Sequence, residues 1–511
     1  MLRRDFLEWT RFAAIAATIP DVWRVRHRPR FLDDPFSLGV ASGDPTADSV
    51  MLWTRLAPRP LEPGYGMEGI RTAVTWEVAA DEGFRQMIQT GRATAAPELG
   101  HSVHVDVQGL QPDRWYYYRF QTGDARSTVG RTRTAPAEGS SSPLRFGVAS
   151  CQNYEQGLYT AYEHMAREEL DLVAHLGDYI YEYAGIGGRV RRHATTEIQS
   201  VEDYRIRYAQ YKSDPLLQAA HATCPWLVTW DDHEVDNNYA GDSGELGMES
   251  VEQVRARRAA GYQAWWENQP VRAPRALSWA DLTITRSVRW GALARFWMLD
   301  TRQYRSDQPC GDGNRMVPCG DWGSPSHTML GEAQERWLVD GLGSSGARWQ
   351  VMAQQVMMAP FEPIPGQQHM DAWSGYPEAR DRLLHAIAER AANRTVVLTG
   401  DIHSNWVNEL PAGFHERRRG NQPVAAEFVG TSISSGGDGA GGWGTVNERS
   451  LPENPHIKWH TARRGYLTCR VGPDDWQTDY REVPYITRPG APVHTASSWR
   501  LAHGQAGIVP A

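Results

Sequence analysis

Residues 171–183 read DLVAHLGDYIYEY, and the frame of the fold is legible in that stretch. An apolar run, Leu170–Gly177, ends at Asp178 and is followed at once by Tyr179, Ile180 and Tyr181. A short apolar run bounded by a turn residue and flanked by helical patterns suits a parallel strand buried on both faces. The same texture recurs at Leu144–Ser150, Trp226–Trp230, Ala294–Asp300, Trp349–Gln354 and Thr395–Gly400. Helical patterns lie between the runs at Leu158–Glu169, Val201–Ala222 and Glu378–Ala392. Strands alternating with helices predict an α/β domain with much parallel sheet. Ala425–Thr431 and Gly465–Val471 read as further strands, compatible with a second sheet.

Upstream the texture changes. Residues 36–136 contain the short alternating runs Val50–Arg55, Thr72–Ala79, Ser102–Val107 and Trp115–Thr122, separated by Gly, Pro and Asp. That pattern predicts a small all-β sandwich. The polar segment Ala135–Pro143 links it to the α/β domain, expected over 143–490. A tail, 491–511, remains and could lie over the site as a lid. At the other end, MLRRDFLEWTRFAAIAATIP combines Arg3-Arg4, Phe6-Leu7 and the apolar run Phe12–Ile19. Residues 1–30 resemble a twin-arginine export leader, which implies a periplasmic or secreted protein; an amphipathic N-terminal helix is the alternative. No apolar run reaches the roughly 20 residues that a transmembrane helix needs.

The composition is that of an ordinary globular chain of 511 residues, 22% charged and 41% hydrophobic, with a net charge of −8. An acidic balance argues against a general or sequence-specific nucleic-acid binder. It leaves an anionic substrate open, because bound metal ions can supply positive charge locally. Of the 53 basic residues, only Lys212 and Lys458 are lysine. Five cysteines are too few for a disulfide scaffold. Cys310 and Cys319, in PCGDGNRMVPCG (309–320), could form one bridge in an exported protein.

Ligands of open α/β sheets bind beyond the carboxyl ends of the strands. Cys151 follows the first run, Asp178 and Tyr181 the second, and Asp231-Asp232-His233-Glu234 the third. Asp300, Arg302 and Tyr304 follow the fourth, and Asp401-Ile402-His403 the last. Each signal is modest alone: an Asp can cap a loop, and a buried Cys can be a small hydrophobe. Together they bring carboxylates, imidazoles, a thiol and a phenol to one rim, and such a crowd of acids needs cations. Thiolate, phenolate, carboxylate and imidazole suit Fe(III); an oxygen cluster of Asp231, Asp232 and Asp401 suits Ca²⁺, Mg²⁺ or Mn²⁺. Neither a P-loop nor a Cys₂His₂ zinc pattern is present.

Several stretches resemble one family in their order. They are FSLGVASGDPTADSVMLWTRL (36–56), FGVASCQNYEQGLYTAY (146–162), DLVAHLGDYIYEY (171–183) and DYRIRYAQYKSDPLLQAAH (203–221). PWLVTWDDHEVDNNYAG (225–241), WMLDTRQYRSDQ (297–308), LTGDIHSNWVNEL (398–410), EFVGTSISSGGDG (427–439) and NPHIKW (454–459) continue the series. The chain resembles the PhoD-like alkaline phosphatases and phosphodiesterases, of the calcineurin-like and purple-acid-phosphatase-like metallophosphoesterase fold. The resemblance implies an N-terminal β-sandwich followed by an α/β/β/α sandwich. It implies Fe(III) on Cys151, Asp178, Tyr181 and His403, with Asp178 bridging to a second metal. That metal is expected to be Ca²⁺, on Asp231, Asp232 and Asp401, with Asn237 and Asn238 completing its shell. His233 would sit beside the leaving group.

The implied reaction is attack of a metal-held hydroxide on a phosphate mono- or diester, with a nucleotide or phospholipid headgroup among the candidate substrates. Arg189, Arg191 or Arg302 could add contacts to the phosphate, surface charge being the plainer reading of each. The alternatives are a non-catalytic or zinc-type esterase on the same frame, and a binding module. The latter would use Trp265, Trp266, Trp322, Trp373, Trp406 and Trp443 as stacking platforms.

Overall fold

The apolar runs do form strands, and two sheets face each other. The computed structural model describes residues 30–511 apart from 68, 246–248, 274–277, 312–315, 363, 415–421 and 440–450. The proposed leader therefore lies outside the described residues, as does Trp443. Leu144–Ala149, Leu172–His175 and Trp226–Val228 pair in parallel at the centre of a ten-stranded sheet. Ala294–Met298, Trp349–Ala353, Thr395–Thr399 and Pro423–Val429 pair in parallel within a seven-stranded sheet.

The inner faces meet in one core, where Phe146, Leu172 and Leu227 of the first sheet pack with Phe296, Val351, Val396 and Val407 of the second. Helices cover both outer faces. Thr160–Met165, Val201–Lys212, Pro215–His221 and Val251–Asn268 contribute to the core outside the larger sheet. Gly331–Ser344 and Pro377–Arg390 pack outside the smaller one. The result is the expected α/β/β/α sandwich. Both sides of its central strands are dry, which is why they read as continuous apolar runs.

The helical pattern Val201–Ala222 is two helices. Asp214 accepts hydrogen bonds from the backbone N–H groups of Leu216 and Leu217, and Pro215 opens the second helix. An Asp cap followed by proline starts a helix and cannot continue one.

The N-terminal sandwich is present and fused to the larger domain. One of its sheets holds Thr72–Ala79, Met87–Ala95, Trp115–Thr122 and Gly130–Arg133. The other, Val40–Gly43, Ser49–Arg55 and Ser102–Gln108, continues the ten-stranded sheet by pairing Gly43 with Trp226. A Cβ on Gly43 would lie 2.2 Å from the Pro270 carbonyl oxygen, so glycine permits this junction. Val50, Leu52, Val74, Val78, Tyr118 and Phe120 fill the sandwich.

The tail is no lid. His494–Ala502 pairs antiparallel with Asp475–Val483 near the edge of the ten-stranded sheet, and Val509–Pro510 pairs with it in turn. Its alternating polar residues suit a half-exposed outer strand. Cys310 and Cys319 form a disulfide, while Cys151, Cys224 and Cys469 are free and buried. Among the described residues, no helix is long and apolar enough to cross a membrane.

Candidate metal centre

The carboxyl ends of the parallel strands converge as the sequence predicts. Cys151 leaves Leu144–Ala149, Asp178 and Tyr181 leave Leu172–His175, and Asp231, Asp232 and His233 leave Trp226–Val228. Asp401 and His403 come from the facing sheet, after Thr395–Thr399. Three sets of ligand atoms each fall within 4.8 Å of one another: Cys151, Asp178 and His403; Asp178, Asp232 and His233; Asp231, Asp232 and Asp401. Asp178 and Asp232 belong to two sets each, so the groups form one continuous cluster.

The backbone is bent to deliver them. Cys151, Asp178, Asp401 and His403 all have left-handed backbone, with φ of 58°, 54°, 61° and 54°. Each such residue costs of order 1–3 kcal/mol and persists where its surroundings hold it. Gly177 makes the closest approach: a Cβ there would sit 2.4 Å from Asp231 Cβ.

Glu234 holds two of these loops together. Its Oε2 accepts from the backbone N–H groups of Asp178 (3.1 Å) and Asp231 (2.8 Å), and its Oε1 accepts from Tyr179 N–H (2.6 Å). Glu182, also unassigned from the sequence, accepts from His233 Nδ1 at 2.7 Å and from Asn237 N–H at 2.9 Å. Tyr181 packs its ring on His233, with centroids 4.0 Å apart. Tyr181 Oη donates to Asp178 Oδ2 at 2.7 Å and lies 3.1 Å from His403 Nε2.

Asn237 turns its amide nitrogen to Glu245 at 2.7 Å. The backbone N–H of Asn238 holds Asp232 Oδ2 at 2.8 Å.

Three carboxylate oxygens in this cluster are buried and have no hydrogen-bond partner among the described residues: Asp178 Oδ1, Asp231 Oδ2 and Asp232 Oδ1. Orphaned acceptors of that kind are costly to bury. Protonation equilibria carry the same stress. Burial, helped by Asp178, drives the Cys151 thiol and the Tyr181 phenol well above their ordinary values. Burial raises Asp178 to about 6 and Asp401 to about 7. Asp232 moves the other way, to about 2: burial opposes its charge, but Arg302 and His233 outweigh it. The donor types fit cations, which would satisfy the orphaned oxygens and favour thiolate and phenolate.

Arg302 is neither a surface charge nor a free phosphate contact. It is fully buried, with Nε 2.5 Å from Asp231 Oδ1 and Nη2 3.1 Å from Asp401 Oδ1. Its Nη1 is bidentate to Asp371, at 2.9 Å to each oxygen, and Arg305 also binds Asp371. Arg191 is committed to Asp214 and the Tyr154 ring, and Arg189 is exposed. Nothing local in the sequence marks Asp371, which reaches the cluster only through the fold. The tryptophans of the binding-module alternative lie mostly in the core: Trp265, Trp266, Trp373 and Trp406 are buried.

Known proteins carry the same arrangement of domains. A family model described as PhoD-like phosphatase matches residues 146–480, and one described as PhoD-like phosphatase, N-terminal domain, matches residues 21–136. The chain is 48% identical over 498 residues to alkaline phosphatase D of Bacillus subtilis (strain 168), spanning 95% of this chain and 84% of that protein. It matches a solved structure of PhoD with a TM-score of 0.90 and 48% identity, over 94% of this chain and 93% of the other. Purple acid phosphatase PPD1 from yellow lupin (Lupinus luteus) seeds shares the fold, with a TM-score of 0.57 at 12% identity over 92% of this chain and 74% of its own.

Proposed function

The chain belongs to the PhoD-like phosphatase family and is a phosphatase homologous to alkaline phosphatase D, and we propose that it hydrolyses phosphate mono- or diesters at an Fe(III)/Ca²⁺ centre. Cys151, Asp178, Tyr181 and His403 would hold the iron, and Asp231, Asp232 and Asp401 the calcium. The observation that carries this reading is the set of buried oxygens on Asp178, Asp231 and Asp232 without a hydrogen bond among the described residues. A thiol and a phenol beside a carboxylate and an imidazole favour a ferric ion, and three carboxylates favour a hard divalent ion. When bound, the ions would supply Lewis acidity toward the phosphoryl oxygens and lower the pKa of a bound water enough to make it nucleophilic near neutral pH.

The protein's own groups do the rest. His403, about one third exposed, and Asp401 are the most exposed of these groups, so an ester would approach from their side. A ring nitrogen of His233 lies within 4.8 Å of oxygens of Asp178 and Asp232, close enough to serve a phosphoryl group placed over them. Glu182 holds the His233 imidazole by Nδ1 and favours its charged form. As the ester P–O bond breaks in line with the attacking water, His233 donates its proton to the departing oxygen. The substrate is a small phosphate ester, with nucleotides and lipid headgroups both within the class. The Cys310–Cys319 disulfide supports export, as the leader-like N-terminus does.

Elemental analysis of the purified protein, combined with turnover of p-nitrophenyl mono- and diesters, tests the proposal. Iron and calcium should be found, with turnover lost in Asp178→Asn. Zinc in a colourless protein would replace the iron assignment with the zinc-type esterase. Turnover surviving in Asp178→Asn would remove the site altogether.

A further inference from the structure

We propose that Ser435 is a positioning residue for Tyr181, a buried hydroxyl that donates to the phenolate oxygen and tunes the ferric ion that Tyr181 would hold. The inference rests on the iron assignment above and goes beyond it to a residue outside the ligand set.

Ser435 Oγ lies 2.6 Å from Tyr181 Oη, and Ser435 is fully buried. Its hydroxyl has two possible acceptors, Tyr181 Oη and the Cys151 carbonyl oxygen at 2.8 Å. A hydroxyl has one proton, so it must choose. The Cys151 carbonyl is already served by the backbone N–H groups of Ser434 (3.3 Å) and Ser435 (3.2 Å). As a phenol, Tyr181 directs its own proton to Asp178 Oδ2. As a phenolate, Tyr181 donates nothing and becomes the stronger acceptor, because a hydrogen bond to an ionised oxygen is shorter and stronger. The backbone N–H of Asn153 donates to Ser435 Oγ at 3.2 Å, occupying a lone pair and leaving the hydroxyl proton for Tyr181.

The turn that carries Ser435 is itself locked. Ser432 Oγ donates to the Ser435 carbonyl oxygen at 2.6 Å, and Ser434 Oγ donates to the Asn153 carbonyl oxygen at 2.8 Å. Arg464 is buried and donates to both Ser432 Oγ and the Ser435 carbonyl oxygen. An exposed turn has no need of a buried guanidinium and three serine hydroxyls. Here they fix one hydroxyl against one ligand atom, as outer-shell partners of metal ligands do.

A hydrogen bond to a coordinated phenolate lowers the energy of its electrons. Charge transfer from the phenolate to Fe(III) then needs more energy, and the ferric state is less favoured over the ferrous. Removing the hydroxyl should shift the visible band to longer wavelength and lower the reduction potential.

The experiment is the visible spectrum and redox titration of the iron-loaded full chain as wild type, Ser435→Ala and Ser435→Thr. The expected result is a band at longer wavelength and a lower potential in Ser435→Ala, with both returned toward wild type in Ser435→Thr. Loss of iron from Ser435→Ala but not from Ser435→Thr also supports the role, since the hydroxyl then holds the ligand in place. An unmoved band and potential in iron-containing Ser435→Ala, or equal defects in the two variants, overturns it. A wild-type protein that contains iron but has no such band overturns Tyr181 as ligand and this role with it. A wild-type protein without iron overturns the metal assignment from which the inference starts.

Discussion

Glu182 Oε2 lies 2.7 Å from His233 Nδ1, and both side chains are buried against the Tyr181 loop. The pair fixes which imidazole nitrogen is free and stabilises the charged ring. Burial opposes that charge, but Glu182, Asp232 and Asp178 outweigh it and raise the His233 pKa. Glu182→Gln should therefore lower kcat by up to roughly 100-fold, part of the roughly 10²- to 10⁴-fold that a positioned general acid contributes. The loss should be greater for phenyl phosphate than for p-nitrophenyl phosphate, because the poorer leaving group depends more on proton donation. Equal losses for the two esters would remove His233 from the role of acid.

Glu234 makes a separate prediction about assembly of the site. Its carboxylate accepts from three backbone N–H groups, two of them on Asp178 and Asp231. In Glu234→Gln an amide NH₂ must face at least one of those donors, leaving a buried N–H unsatisfied at a cost of about 1–3 kcal/mol. Because one carboxylate ties two ligand loops, the variant should lose both metals together while its far-UV circular dichroism is retained. Loss of one metal alone would show that the loops are held independently.

These two residues also show where the sequence stops being legible. Cys151, Asp178, Asp232, Asp401 and His403 stand directly after apolar strand runs, so the topology of a parallel sheet brings them to one rim. Glu182 and Glu234 sit inside the same motifs, yet their roles depend on which backbone groups approach them from other loops. Asp371, Ser435 and Arg464 reach the cluster from distant segments, and no local pattern marks them. Outer antiparallel strands such as Met87–Ala95 are illegible in the sequence for a related reason. Most of that strand's side chains face solvent, so it offers no apolar run to read.

Acid should destabilise the fold through buried histidines outside the ligand set. Burial lowers His104 to about 4 and His175 to about 3. His104 is stacked on Trp266 and bonded to the Gln269 carbonyl oxygen at 3.0 Å, an arrangement that requires only one ring proton. The unfolded chain, with an ordinary pKa near 6.5, binds more protons than the folded one between that value and the depressed one. Stability is therefore complete above pH ~6.5 and falls as pH drops toward 4, by up to about 1.4 kcal/mol per pH unit for each such group. Urea unfolding across this range, with EDTA present throughout, should show that slope, reduced in His104→Gln. An unchanged slope in the variant would place the proton uptake elsewhere.

Arg302 gives the sharpest test of why so many acids are buried together. Its guanidinium touches Asp231, Asp371 and Asp401 and lies 3.6 Å from Asp232. Without metals it is the main positive charge among them. Breaking a buried ion pair by removing one partner typically costs about 3–5 kcal/mol, because the remaining charge is left uncompensated. Arg302→Met should accordingly have a markedly lower Tm than wild type in EDTA. Added Ca²⁺ binds only the folded site and stabilises it by mass action. With the competing guanidinium gone, the Tm gained per increment of Ca²⁺ should be larger in Arg302→Met than in wild type. Thermal melts of both proteins across a Ca²⁺ titration measure this. A smaller gain in the variant would mean that Arg302 helps to build the calcium site by orienting its carboxylates; a larger one means that it stands in for the ion until the ion arrives.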